Sequence, residues 1–430
     1  MNITIIAIGS RGDIAPYIAL SQGLINAGHT ICLATHQAYA ELVRSYHIPF
    51  FPLDDDAKDL FQEEGGEQLL AKGINPYRFA QHVAHRIAHF TPQYMQRAQE
   101  ACRESDTVIV ALASLLIGST IAEKYQKRLI ITILQPMLLS TAALPEPTSP
   151  WLPQKPPLLG KTMNLFSHMM AQYYTGWLFL PAANAARKKL YSLPPLPRSF
   201  YATLPNLTPL LLCAYSPLLV PKPTDWSETI HITGFWMTKH PESWQPDNEL
   251  IDFLSTGPAP IYIGFGSMSP YHPLQTIEMV EETLTQIGQR GILLVDKYIY
   301  KTQKRSDRLY LINDVAHDWL FPRMQAIVHH GGAGTTAASL SAGVPTIVIP
   351  HISDQWFWGE RVVQLGAGPQ PISRKHLTSQ KLAEHLHSVL HNQKMRQKAR
   401  EIGNRLQNED GVDQAVKAIN ALENDKSQTL

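Results

Sequence analysis

Apolar residues in this chain gather in short unbroken runs rather than in strict alternation. Ile3 to Ile8 is the first, and similar runs stand at Thr30–Thr35, Thr107–Ala111, Leu129–Ile133, Ile261–Phe265, Gly291–Val295, Leu309–Ile312, Ala326–His329 and Thr346–Ile349. Runs of about four to six residues, rich in β-branched side chains, predict strands buried on both faces, as in parallel sheets covered by helices. Helical patterns fall between them. One is expected over Pro16 to Ala27, with proline near its start and Gly28 as its stop, and another over Thr335 to Ala342. Two interruptions break the alternation. Between Pro145 and Pro157 the chain is proline-rich, and from there to about Arg198 it is dense in Met, Tyr, Trp, Phe and Leu. Such a segment can line an apolar pocket, dip into a membrane surface, or simply be helical core. Around Ser216 to Trp226, Pro217, Pro221 and Pro223 predict a semi-rigid linker.

At 430 residues the chain is long for one core, so two domains of about 200 residues are expected. The stretches Thr107 to Ala122 and Leu129 to Leu144 are apolar, but Ser, Thr, Gly, Gln or Pro interrupts each, and both are too short to span a bilayer. They read as buried strand and helix. The formal charge of +1 gives no reason to expect nucleic acid as a partner. Cys32, Cys102 and Cys213 are far apart and odd in number, which argues against a disulfide framework and fits a reducing, cytoplasmic compartment. No basic leader precedes the first strand, so secretion is not expected.

Candidate chemistry concentrates in His329-His330-Gly331-Gly332-Ala333-Gly334-Thr335-Thr336. These residues follow a strand pattern and open a helix. Glycines on a strand-to-helix turn let backbone amides approach a pyrophosphate closely, and the helix N-terminus adds unpaired N–H groups and partial positive charge. His330 can add a side-chain donor. After the next strand come Asp354 and Gln355, a carboxylate and an amide side by side, suited to vicinal sugar hydroxyls. A plain structural turn would show glycines too; it would not call for the histidine, the threonines and the Asp-Gln pair.

The segment from His329 to Ile372 resembles the nucleotide-sugar signature of the inverting, metal-independent GT-B glycosyltransferases that use UDP-sugars. It is most similar to that of the sterol 3-β-glucosyltransferases. Gly9-Ser10-Arg11-Gly12-Asp13, Tyr215 to Trp226 and Ile261 to Ser269 agree with the same subgroup. The resemblance implies an α/β GT-B fold: two doubly wound Rossmann-like domains facing across a cleft. Residues 1–225, joined by a C-terminal helix at about 407–430, would bind the acceptor, and 226–406 the nucleotide sugar. It also implies donor contacts from His330, Gly332, Gly334, Thr335, Asp354 and Gln355, from Ser267, and from backbone near Val315 and Ala316. Ser10, Arg11 and Gly12 would line the acceptor side, with Asp13 as the base that takes the acceptor's proton. Read from the residues alone, Asp13 has a second explanation as a helix cap. Where wider relatives place a tryptophan and a glutamate, this chain has Val315 and Ala338, as the sterol subgroup does. Many relatives use a histidine activated by an aspartate as base; no clear copy of that dyad is legible, and His29 and His36 suit turn or sheet-end packing.

The expected reaction moves glucose from UDP-glucose, a co-substrate, to a hydroxyl of a hydrophobic acceptor such as a sterol. No cofactor or metal is expected; peripheral contact with the inner membrane face is compatible with the aromatic segment. Alternatives are a carotenoid, macrolide or peptide-antibiotic acceptor, a sugar-nucleotide epimerase, or a non-catalytic sugar-nucleotide binder. Two features are read as bland. Asp54-Asp55-Asp56 has the spacing of a cation site but is expected in an exposed turn, and His82, His85 and His89 share a helical face without a carboxylate or cysteine partner.

Overall fold

The computed structural model describes residues 1–54, 76–149, 160–265, 273–302, 306–351 and 354–427, with the backbone alone for 76–87, 302 and 424–427. The chain forms two compact units, Met1–Thr238 with Asp410–Leu430, and Lys239–Glu409.

The first unit is built on seven strands: β1 (Asn2–Ile6), β2 (Thr30–Thr35), β3 (Phe50–Pro52), β4 (Thr107–Val110), β5 (Arg128–Ile133), β6 (Leu211–Cys213) and β7 (Ile230–Ile232). Their order is β3-β2-β1-β4-β5-β6-β7, and every pairing is parallel. The continuous apolar runs follow from this topology, because helices cover both faces and leave Ile3, Ile5 and Ile6 almost wholly inaccessible. On one face the strands pack against Ile14, Tyr17, Ile18 and Leu24 of the helix Arg11–Asn26 and against Ala415 and Ile419 of the C-terminal helix Gly411–Ser427. Gly23 permits that approach: a Cβ there would collide with Val412.

Several boundaries differ from expectation for physical reasons. The first helix begins at Arg11, not Pro16, because Ser10 caps it and Asp13 bonds back to Ser10. Pro16 is then interior, and Gly12, whose carbonyl it leaves without a helical donor, is exposed. The proline-rich stretch from Ser216 is not a linker. It is a packed connection between β6 and β7 with Leu219, Val220 and Trp226 buried, Trp226 Nε1 donating to the Ser140 carbonyl at 3.1 Å, and Asp225 accepting from Thr141 and Ala142.

The second unit carries β8 (Ile261–Gly264), β9 (Gly291–Leu294), β10 (Leu309–Ile312), β11 (Ala326–His329) and β12 (Thr346–Val348) in the order β10-β9-β8-β11-β12, again all parallel. Ile263, Leu293, Leu311 and Val328 meet Val280, Leu284, Leu382 and Leu386 on one face. Tyr262, Ile292, Tyr310 and Ile327 meet Leu320 and Phe321 on the other. Among the described residues no helix is long and apolar enough to cross a membrane.

Candidate functional site

In an open parallel sheet, ligands bind beyond the carboxyl ends of the strands where the winding reverses. In the second unit that point lies between β8 and β11, since β8 leads outward to β9 on one side and pairs with β11 on the other. The predicted glycine turn sits there. Gly331 has φ +93°, and a Cβ on it would lie 2.7 Å from the Gln355 carbonyl, so the turn needs glycine. Gly332 is the N-cap of the helix Ala333–Ser341, and the first bond into that turn runs from the Thr336 amide to the Gly332 carbonyl at 2.9 Å. The amides of Ala333, Gly334 and Thr335 take no acceptor among the described residues. Gly334 is exposed, and a Cβ there would meet nothing within 4 Å. Its surroundings are open, unlike those of Gly331.

Around this turn stand three histidines. His329 is wholly buried, and its Nδ1 accepts from the Gly331 amide at 2.9 Å, which makes it a brace for the turn. Burial, then the neighbouring His330 and His317, hold it well below the ordinary imidazole value. Burial likewise lowers His330 to about 4, against a hydrogen bond to Gly264 that opposes the shift. His351, just past β12, is lowered to about 4 by burial, then by His330 and Arg374. Both rings are therefore neutral at pH 7, and the positive potential comes from the helix end and from Arg374, whose guanidinium lies 5.3 Å from the centroid of Phe265. His330 Nδ1 and His351 Nε2 are buried without a hydrogen-bond partner among the described residues.

The other predicted donor residues are placed as follows. Asp354 caps the helix Gln355–Gln364, and its Oδ2 accepts from Trp358 Nε1 at 2.9 Å. Gln355 is buried, and its Oε1 accepts from the His351 amide at 2.7 Å. Both side chains are thus oriented by the protein at the end of β12. Val315 and Ala316 follow β10; Val315 is buried, and Ala316 caps the short helix His317–Leu320. Ser267 lies outside the described residues.

In the first unit the winding reverses between β1 and β4, and Gly9 to Asp13 follows β1. Asp13 is half-buried, and its Oδ2 accepts from the Ser10 amide at 2.8 Å and from Ser10 Oγ at 2.9 Å. Arg11 and Gly12 are exposed. The capping geometry is present and leaves Asp13 at the strand-end edge, where a base would stand.

Sequence reasoning missed a histidine–aspartate pair here. His36, at the end of β2 and 3% exposed, places Nδ1 2.5 Å from Asp54 Oδ2. Asp54 follows β3 and also accepts from the Gln37 amide at 2.8 Å and from Tyr94 at 3.3 Å. Burial pushes this carboxyl up, and the hydrogen bonds with His36 and Gln37 outweigh it, so Asp54 is held below its ordinary value. Asp54 is therefore not in an exposed turn; Asp55 and Asp56 lie outside the described residues, as do the His82 and His85 side chains. His29 does pack at a turn, between the N-terminal amine and Asn420. No metal-binding cluster occurs among the described residues. Each overlooked residue sits just past a parallel strand, the position that would have flagged it.

The aromatic segment forms the helix Gly160–Ala186, and it is inside out. Asn164, Ser167, His168 and Gln172 are buried, bonded to the 138–146 connection, with His168 Nδ1 2.9 Å from Glu146 Oε2. Leu165, Phe166, Met169, Met170, Tyr173, Tyr174 and Trp177 are exposed, Phe166 by 56% and Tyr173 by 59%. It is not ordinary helical core.

Comparison with known proteins agrees with this architecture. Residues 3–142 match the glycosyltransferase family 28 N-terminal domain, and 294–422 the erythromycin biosynthesis protein CIII-like C-terminal domain. A sterol 3-β-glucosyltransferase of Arabidopsis thaliana is 30% identical over 97% of this chain and 68% of its own length. The UDP-sugar-dependent glycosyltransferase 52 of Dictyostelium discoideum is 33% identical over 97% of this chain but only 26% of its own length, so the chain spans about a quarter of that relative. Among solved structures, the calicheamicin glycosyltransferase CalG4 superposes with a TM-score of 0.68 at 14% identity, covering 98% of each chain, and the kitacinnamycin glycosyltransferase with 0.69 at 15%, covering 97% of each. Two parallel-sheet units and this similarity over 97% of the chain place it in the GT-B glycosyltransferases, in the family of the sterol 3-β-glucosyltransferases.

Proposed function

We propose that this glycosyltransferase moves glucose from UDP-glucose to the hydroxyl of an apolar acceptor, with a sterol as the first choice, by one inverting displacement and without a metal. The observation that carries the reading is that the amides of Ala333, Gly334 and Thr335, past the end of β11, take no acceptor among the described residues, and that a Cβ on Gly334 would meet nothing within 4 Å among them. Anionic oxygens of a diphosphate fit that cradle, and amides fixed in advance stabilise the charge that develops on the leaving UDP. His330 adds a neutral imidazole. Asp354 and Gln355, both oriented by internal hydrogen bonds, would hold the sugar hydroxyls. Asp13 would accept the acceptor's proton as its oxygen attacks the anomeric carbon; the C–O bond to UDP breaks on the opposite face, and an α-linked donor yields a β-glucoside.

The inside-out helix supports an apolar acceptor and peripheral contact with a lipid surface. Soluble proteins rarely leave seven large apolar side chains together in water. Lys161 at one end and Lys188 and Lys189 past the other are exposed, and the helix contains no acidic residue. The test is incubation with UDP-glucose and a 3-hydroxysterol presented in vesicles, followed by mass and NMR analysis of the product. A β-linked sterol hexoside is expected. Donor consumed without acceptor, or an α-linked product, would contradict the reading.

A further inference from the structure

Three neighbouring strands of the first sheet, β1, β2 and β3, are followed by Gly9, His36 and Asp54, and these residues are linked in a row. The Gly9 amide donates to His36 Nε2 at 3.2 Å, and His36 Nδ1 meets Asp54 Oδ2 at 2.5 Å. An imidazole that accepts on Nε2 must carry its proton on Nδ1, which is the tautomer a carboxylate partner selects. His36 is therefore not itself a base toward substrate: its accepting nitrogen is occupied, and the ring is 3% exposed.

Gly9 has little freedom of its own. Its φ is +145°, and a Cβ there would lie 2.5 Å from Asp13 Oδ2. The residue is thus wedged between the His36 ring and the Asp13 carboxylate, which in turn accepts from Ser10, the next residue. Moving the Gly9 amide would move Ser10 and the carboxylate bonded to it. We propose that His36, its tautomer fixed by Asp54, is a positioning residue that holds the Gly9–Asp13 loop in place for proton transfer by Asp13.

This rests on the reading of Asp13 as the base. The groups that face His36 are Asp54 past β3, Tyr94 from the helix Pro76–Ala101, Tyr39 from the turn Gln37–Tyr39, and the Gly9 amide. Only one protonation state of the ring serves. A proton on Nε2 would set N–H against N–H, so the bond from the Gly9 amide requires that nitrogen to be the acceptor.

The test compares wild type with His36→Gln and His36→Ala in three measurements: kcat, amide exchange of the peptide spanning Gly9, and UDP affinity as a check on the second unit. Gln can offer an oxygen near the place of Nε2 and cannot become protonated there. His36→Ala should lower kcat by about tenfold to a hundredfold, leave UDP affinity unchanged, and speed Gly9 exchange. His36→Gln should restore slow exchange and most of the turnover. The proposal is overturned if His36→Ala keeps wild-type kcat, if Gly9 exchange is unaffected, or if His36→Gln is as slow as His36→Ala. Full turnover in Asp13→Asn would instead remove the base assignment, and the exchange measurement would still decide whether His36 holds the loop.

Discussion

In the first unit the row of strand ends is closed. Gly9, His36 and Asp54 satisfy one another, and Asp13 accepts twice from Ser10. In the second unit a row on the other side of the winding reversal, Phe265, His330 and His351 past β8, β11 and β12, is open. His330 Nδ1 and His351 Nε2 have no partner, and three helix amides beside them take no acceptor among the described residues. Buried polar groups without partners cost about 1–3 kcal/mol each. Among the described residues one row is satisfied internally and the other is not, a difference that suits the proposed roles of a scaffold for a base and a receptor for a diphosphate.

The largest effect is expected in the closed row. Asp13→Asn keeps the size of the side chain and removes its basicity, so kcat should fall by about a hundredfold or more with UDP affinity unchanged; steady-state kinetics with calorimetry separates the two. If turnover persists, the closed row is only a helix cap.

The open row should be visible in acid. His330 and His351 take up a proton near the ordinary 6.5 when unfolded but only at about 4 in the folded unit. Between those values the unfolded chain binds more protons. Their contribution is therefore fully present above pH 6.5 and is lost as pH falls toward 4, on the order of 3 kcal/mol for each ring that stays buried. Thermal melts across that window should show the loss, and His351→Phe should flatten it. A diphosphate in place should raise both values and reduce the slope.

Gly331→Ala meets both a left-handed φ and the Gln355 carbonyl, so it should destabilise the second unit by on the order of 2 kcal/mol or more. Urea unfolding measures this. Asp354→Ala should have the smallest effect, raising the donor KM by about tenfold and blurring discrimination between glucose and its epimers. Unchanged sugar preference would take Asp354 out of the sugar site.

Much of this was legible in the sequence because parallel strands buried on both faces are written as apolar runs. Thr30–Thr35, Leu309–Ile312 and Ala326–His329 were located to the residue. The three-residue strands β3, β6 and β7 were not, since so short a run carries no periodicity, and proline occupies the end of β3. The glycine turn was legible because φ and close approach demand glycine at Gly331. The His36–Asp54 pair was not, because 18 positions separate its members and only the strand order brings them together. The inside-out helix escaped for a related reason: composition announced an apolar segment, but which face turns inward depends on the polar groups of the 138–146 connection that Asn164, His168 and Gln172 satisfy.

The most direct measurement is calorimetric titration of UDP into wild type and Gly334→Ala, with melting temperatures taken alongside. A methyl group at Gly334 meets nothing in the protein and improves helix propensity, so the fold should be unharmed or slightly more stable, while UDP affinity falls by about tenfold or more. Wild type that releases no heat on UDP, or a variant that binds as well as wild type, would contradict the claim that these amides hold the diphosphate.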